Sequence, residues 1–163
     1  MENIETVNRD VLINAKYIIK FFNDKNNSVT NLKLQKLLYF LEAIYMVYTD
    51  DVKLYDDEFY AWDFGPVNEI IYNEYKIFGN TPIILEEEVL INEENKKYIE
   101  YLYNIFGSFS AFDLVTISHS EGSPWYNINK KYNDNIPHKT VIRKQDTKEW
   151  FKRIIREEDS KRK

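Results

Sequence analysis

LKLQKLLYFLEAIYMVY, residues 32–48, runs through a polar bridge into EFYAWDFGPVNEIIY, residues 58–72, and the reading of this stretch decides the fold. Leu34, Leu37, Leu38, Leu41, Ile44, Tyr45 and Tyr48 recur at helical spacing and make a broad apolar stripe. The spacing predicts a helix from Thr30 or Asn31 to about Tyr48. It is too apolar for a lone surface helix, so it belongs near the centre of the core. Between Asp50 and Asp63 the period changes. Phe59, Ala61 and Asp63 alternate with Tyr60, Trp62 and Phe64, which reads as a short aromatic strand. Gly65 ends that strand. Pro66 is expected in the first turn of a third helix, where its missing N–H would be unpaired anyway.

Further helices extend outward from this centre. Asp10 is a candidate N-cap for a helix reaching about Asn23, with Leu12, Ala15, Ile18, Ile19 and Phe22 on one face. Gly79 suits the C-terminal end of the third helix. Residues 81–91, with Pro82 and the acidic run Glu86–Glu88, read as a loop. Asn92 caps a fourth helix that ends near Gly107. Ser110 with Asp113 resembles a capping box for a short fifth helix ending around His119. Pro124 leads a brief sixth helix with Trp125, Ile128 and Tyr132 on one face, and residues 134–139 form a loop. Asp146 with Glu149 signals the start of a last helix, with Trp150, Ile154 and Ile155 toward the core. The expected fold class is mainly α: a compact helical bundle around a central apolar helix, with a small, short-stranded antiparallel sheet. The 163 residues read as a single domain, frayed at 1–9 and 157–163.

Composition narrows the chemistry. There is no Cys, which excludes disulfides, Cys-based zinc sites and thiol nucleophiles. The polar, acidic start lacks a signal peptide's basic and apolar runs, and no apolar run approaches the roughly 18 residues of a membrane span. The cytoplasm and no membrane association are the expectation. Aromatics are abundant, with 13 Tyr, 10 Phe and 3 Trp. The net charge of −5 is unevenly spread. Residues 130–163 carry 12 Lys/Arg against 6 Asp/Glu, and the first 129 carry 10 against 21. An acidic body with a basic end can offer two different faces to partners.

No constellation of catalytic residues stands out. His119 lies in SHSEGSPW beside Ser118, Ser120 and Glu121. Neighbours along a helix do not face one another, so no nucleophile–base pair follows from adjacency. His119 is read as structural, hydrogen-bonded where the fifth helix meets the next turn. Neither paired His nor HExxH occurs, and Glu86–Glu88 lacks the alternating ligands and glycine of a calcium loop, so no metal is expected. With 4 Gly there is no glycine-rich phosphate cradle, and no cofactor is expected. The basic residues after Lys130, with Trp150 among them, could form a phosphate-contacting patch. The pI of about 5.2 and the lack of a helix-turn-helix signal argue that nucleic acid is reached only through a partner.

Three motifs together resemble a known family, the Panacea (SocA-like antitoxin) domain. The first is Leu32–Phe40, including Leu34, Gln35, Lys36, Leu37 and Tyr39. The second is Ala61-Trp62, two residues, then Gly65-Pro66-Val67, with Ile71-Tyr72 and Tyr75-Lys76 beyond. The third is Leu114 and His119 leading to Pro124-Trp125. The resemblance spans nearly the whole chain. It implies a mostly helical fold with a small sheet, a cytoplasmic protein of a bacterium, plasmid or phage, and no enzymatic activity. Members are typically antitoxins that neutralise a toxin by protein contact; one branch delivers the toxin to an ATP-dependent protease. Many relatives carry an added DNA-binding or other segment, for which no room is expected in this chain.

The leading expectation is therefore a protein-binding, antitoxin-like module whose partner is a toxin or another effector. Tyr55, Tyr60, Trp125, Tyr126 and Trp150 are the candidate contact residues, as surplus aromatics suited to interface anchors. One alternative is a phage or mobile-element protein that inhibits a host defence complex such as a CRISPR nuclease. Others are a proteolytic adaptor, or a hydrolase using His119 with Glu121 or Asp113. The oligomeric state is left open.

Overall fold

A computed structural model describes residues 6–161. Among these residues six helices are arranged about a seventh, α2 (Asn31–Thr49), with α1 spanning Val11–Asp24, α3 Glu69–Tyr75, α4 Glu93–Phe106, α5 Ala111–Ser118, α6 Pro124–Lys131 and α7 Lys144–Lys161. A three-stranded antiparallel sheet lies against them in the order β2–β1–β3, with β1 Phe59–Trp62, β2 Gly65–Val67 and β3 Val141–Ile142. The mainly helical class with a small sheet is as the residue pattern predicts.

Local chemistry sets most helix starts. Asp10, Thr30, Asn92, Ser110 and Ser123 each accept a backbone N–H of the following turn, and Ser110 and Asp113 complete a capping box. Tertiary packing decides the rest. Every side chain of α2 from Lys33 to Met46 is buried, because α1, α4, α5, α7 and β2 pack around it. A helix enclosed on all sides needs no polar face, but its polar side chains then need partners. Lys33 donates to Asn27, Gln35 to Asn31, and Glu42 accepts from Lys144.

Three departures from the sequence reading are corrections. Pro66 does not start α3; it sits in β2, paired across from Ala61. Gly65 at φ +106° turns the chain into that strand, and Asn68 caps α3 by accepting the Ile71 N–H. Pro is tolerated there because β2 is an edge strand, where a missing N–H breaks no ladder. The last helix starts two residues before Asp146, directly after β3, which is too short to carry a period. The first and last residues also differ in part from the expected fraying. Asn8 and Arg9 are pinned, the first by exchanging hydrogen bonds with Asn95, the second to Lys53 O and Asp51. Helical geometry continues to Lys161. The rest of the expected fraying, at 1–5 and 162–163, lies outside the described residues.

Candidate protein-interaction site

The three motif segments converge on the β1–β2 hairpin. From α2, the Lys36 amine donates to Pro66 O at 2.9 Å, and Gln35 Oε1 accepts the Asn68 N–H at 2.8 Å. From α6, the Trp125 indole donates to Trp62 O at 2.7 Å. From the end of α5, the His119 ring stacks on Trp125 with centroids 3.4 Å apart and planes within 2°. Gly65 lies between these groups: a Cβ there would stand 2.6 Å from Ser118 Oγ and 2.9 Å from Lys36 Cε. Backbone groups of the hairpin and of Asn68 just after it are thus held by side chains from α2 and α6, with His119 at the end of α5 backing Trp125. Leu34 and Leu37 are core residues, Pro124 occupies the first turn of α6, and the Tyr39 hydroxyl shares a hydrogen bond with Thr147.

His119 is held otherwise than its sequence context suggests. Stacking fixes its ring, and Nε2 is buried with no hydrogen-bond partner among the described residues. Burial, and then the charge of Lys36, push its pKa down to about 4. Asp113 is engaged in the capping box at the far end of α5, and Ser118 Oγ donates to Val115 O. Among the described residues no group of three or more His, Asp or Glu is placed to hold a metal ion. No helix among them is long and apolar enough to cross a membrane.

Burial pushes the Lys36 amine down to about 7. An unfolded chain holds the proton to far higher pH, so the unfolded state binds more protons between about pH 7 and 10. Stability should therefore rise with pH across that window, by about 1–2 kcal/mol between pH 7.5 and 9. Urea titrations at the two pH values check this. Lys36→Met should flatten the rise, and an equal rise in that variant would refute the assignment.

The five candidate contact residues divide. Tyr55 is fully buried and its hydroxyl donates to Leu38 O, while Trp150 and Trp125 are 4% and 8% exposed. These three are corrections: large aromatics in a bundle this rich in them fill the core first. Tyr60 and Tyr126 are half-buried and keep some surface.

Sequence reasoning missed the aromatics that are exposed. Phe64, at the hairpin tip, is 57% exposed and Phe112, in the first turn of α5, is 66% exposed. Both line a groove of about 820 Å³, together with Tyr72 of α3 and Pro137 and His138 of the loop before β3. Trp62 forms its wall, edge-on to Tyr72 at 4.9 Å and 6.0 Å from His138. Gln35 and Val67 also reach it, so motif residues that clamp the hairpin line this groove too. Asp63 and Lys76 are its charged lining groups beside His138. One signal was available: Phe64 occupies a two-residue turn, between Trp62 and Gly65, where polar residues are usual.

The family described as antitoxin SocA-like, Panacea domain, matches residues 34–126, more than half of the chain. The match thus stops short of α7 and leaves out α1. This chain belongs to that family. It is also similar to the antitoxin SocA of Caulobacter vibrioides (strain NA1000 / CB15N), with 32% identity over 110 residues, covering 60% of this chain and 58% of that protein. The chain therefore aligns with less than two thirds of its relative's length. No solved structure matches the chain.

Proposed function

We propose that this protein is an antitoxin that neutralises a toxin by direct contact, without changing a covalent bond, and that the toxin seats an apolar segment in the groove beside the β1–β2 hairpin. Family membership supports the general role. The observation that carries the site is the placement of Phe64, Tyr72 and Phe112 in the open around a groove walled by motif residues. Exposed apolar side chains gathered at one concavity are the usual mark of a binding surface. The lining has one carboxylate and one amine, so the seated segment is apolar. The rigid clamp beneath keeps the hairpin in shape before binding, which lowers the ordering cost of association. The protein acts in the cytoplasm, where the toxin is made, and meets nucleic acid only through that partner.

Co-expression with the product of the neighbouring gene tests this. The parent chain should restore growth and co-purify with the toxin. Phe64→Asp with Phe112→Asp should weaken binding by about 30-fold or more, the scale of losing an aromatic anchor. Since both side chains are exposed, the melting temperature should stay within about 2 °C. A folded double variant that neutralises as well as the parent would rule out this surface.

A further inference from the structure

The basic end of the chain forms a second surface, between α6 and α7. A groove of about 500 Å³ runs there over Pro124, Ile128 and the edge of Trp150. Lys131, Lys152, Arg153 and Arg156 line it, with Asp146 and Glu149 the acidic groups on the same lining. The cations of α7 fall into two sets. Lys144 and Lys148 point toward α2 and are paired, at 2.7 Å to Glu42 and at 2.7 Å to Asp50. Lys152, Arg153 and Arg156 are exposed, and among the described residues none of them forms an ion pair. Lys131 lies over the neighbouring Tyr132 ring and likewise forms no ion pair among the described residues.

We infer that this groove binds an acidic polypeptide segment carrying an aliphatic side chain, supplied by a partner protein. The four cations exceed the two carboxylates, so the groove is positive on a chain whose net charge is negative. A complementary segment has carboxylates for the rim and one aliphatic residue for the floor of Pro124 and Ile128. Arg supplies a planar fork for a carboxylate, and Arg153 and Arg156 share a face one turn apart. Two turns of α7 run about 10 Å, room for an extended core of about three residues, with flanking residues reaching past it. Single-stranded nucleic acid fits less well. Trp150 is 4% exposed and offers no ring face for a base, and Asp146 and Glu149 would oppose closely spaced phosphates. The surface is separate from the hairpin groove, so it does not depend on the toxin seating there.

The full chain is titrated against three fluorescent probes: the hexapeptide Leu-Glu-Glu-Leu-Glu-Glu, the same peptide with Lys for Glu, and a 20-nucleotide oligo-dT. The acidic peptide should bind, and its affinity should fall about fivefold or more from about 50 to about 300 mM salt. Arg153→Glu with Arg156→Glu should weaken it by about tenfold or more with the melting temperature held within about 2 °C. Ile128→Ser should weaken it severalfold at unchanged salt dependence, which separates the floor from the rim. Tighter binding of oligo-dT, no preference between the two peptides, or full binding by the doubly reversed variant would each overturn the inference. The chain's own exposed Glu86–Glu88 run carries similar chemistry. A mass that grows with concentration in sedimentation, and is lost in the reversed variant, would reassign the groove to a second copy.

Discussion

Gly65→Ala should destabilise the protein by about 3–5 kcal/mol, the sum of a strained backbone and an overpacked contact. At φ +106° this residue lies where side chains are rarely accommodated. The added Cβ would meet Ser118 Oγ at 2.6 Å and Lys36 Cε at 2.9 Å. Neither neighbour moves cheaply. Ser118 is 1% exposed and donates to Val115 O, and the Lys36 amine is tied to Pro66 O. Gly79 and Gly122 provide the control. Both have positive φ, at +53° and +87°, but nothing stands within 4 Å of a Cβ at either. Gly79→Ala should lose less, about 1–3 kcal/mol, from backbone strain alone. Urea unfolding of both variants reads the difference, and a Gly65→Ala loss no larger than that of Gly79→Ala would show that the hairpin clamp is not tight.

Lys144→Ala should have an effect of similar size, about 3–5 kcal/mol at neutral pH, by leaving a buried carboxylate without its counter-ion. The Glu42 side chain is 2% exposed. Its oxygens lie 2.8 and 2.7 Å from the Lys144 amine, and Oε2 also accepts the backbone N–H groups of Leu54 and Tyr55. Burial raises the Glu42 pKa, while Lys144 and the two N–H groups hold it down. Removing Lys144 removes the largest of these opposing effects, so the pKa should climb further. A carboxyl group whose folded pKa lies above its unfolded value binds more protons when folded. The variant should thus regain stability as pH falls toward about 5, and its deficit should be widest above neutrality. Replacing both partners, Glu42→Leu with Lys144→Met, should be less harmful than Lys144→Ala alone. A deficit independent of pH, or a double variant worse than the single, would show that the pairing is not what Lys144 contributes.

Two prolines show how far local sequence reaches. Pro124 and Pro66 both follow a small residue and precede an apolar helix, and both read as helix starts. At Pro124 that is what forms, because Ser123 caps the helix by accepting the Tyr126 N–H. At Pro66 the preceding residue is a glycine at positive φ, where Lys36 of α2 and Ser118 of α5 leave no room for a Cβ. The chain stays extended until Asn68 can cap. Those side chains lie 29 and 53 positions away, so no local window contains them. The same holds for β3: Val141–Ile142 is a strand only because Phe59 and Tyr60 lie alongside it.

The candidate site was legible in its framework and not in its surface. The sequence motifs group Gln35, Lys36, Trp62, Gly65, His119 and Trp125, and the structure brings them to one hairpin. The contact aromatics were misjudged because residue type does not say which faces are already taken. Tyr55 and Trp150 are closed off by neighbours, while Phe64 and Phe112 stand in the open.

From the chain alone came most helix starts, those of α3 and α7 excepted, with the enclosed central helix, the short aromatic strand and the motif set, since each rests on interactions within a few residues or on a repeating apolar period. Exposure, the pairing of Glu42 with Lys144, the tight fit at Gly65 and the two grooves came only from the packed structure. Each of these depends on which distant segments come to lie side by side, and hydrophobic burial settles that for the whole chain at once.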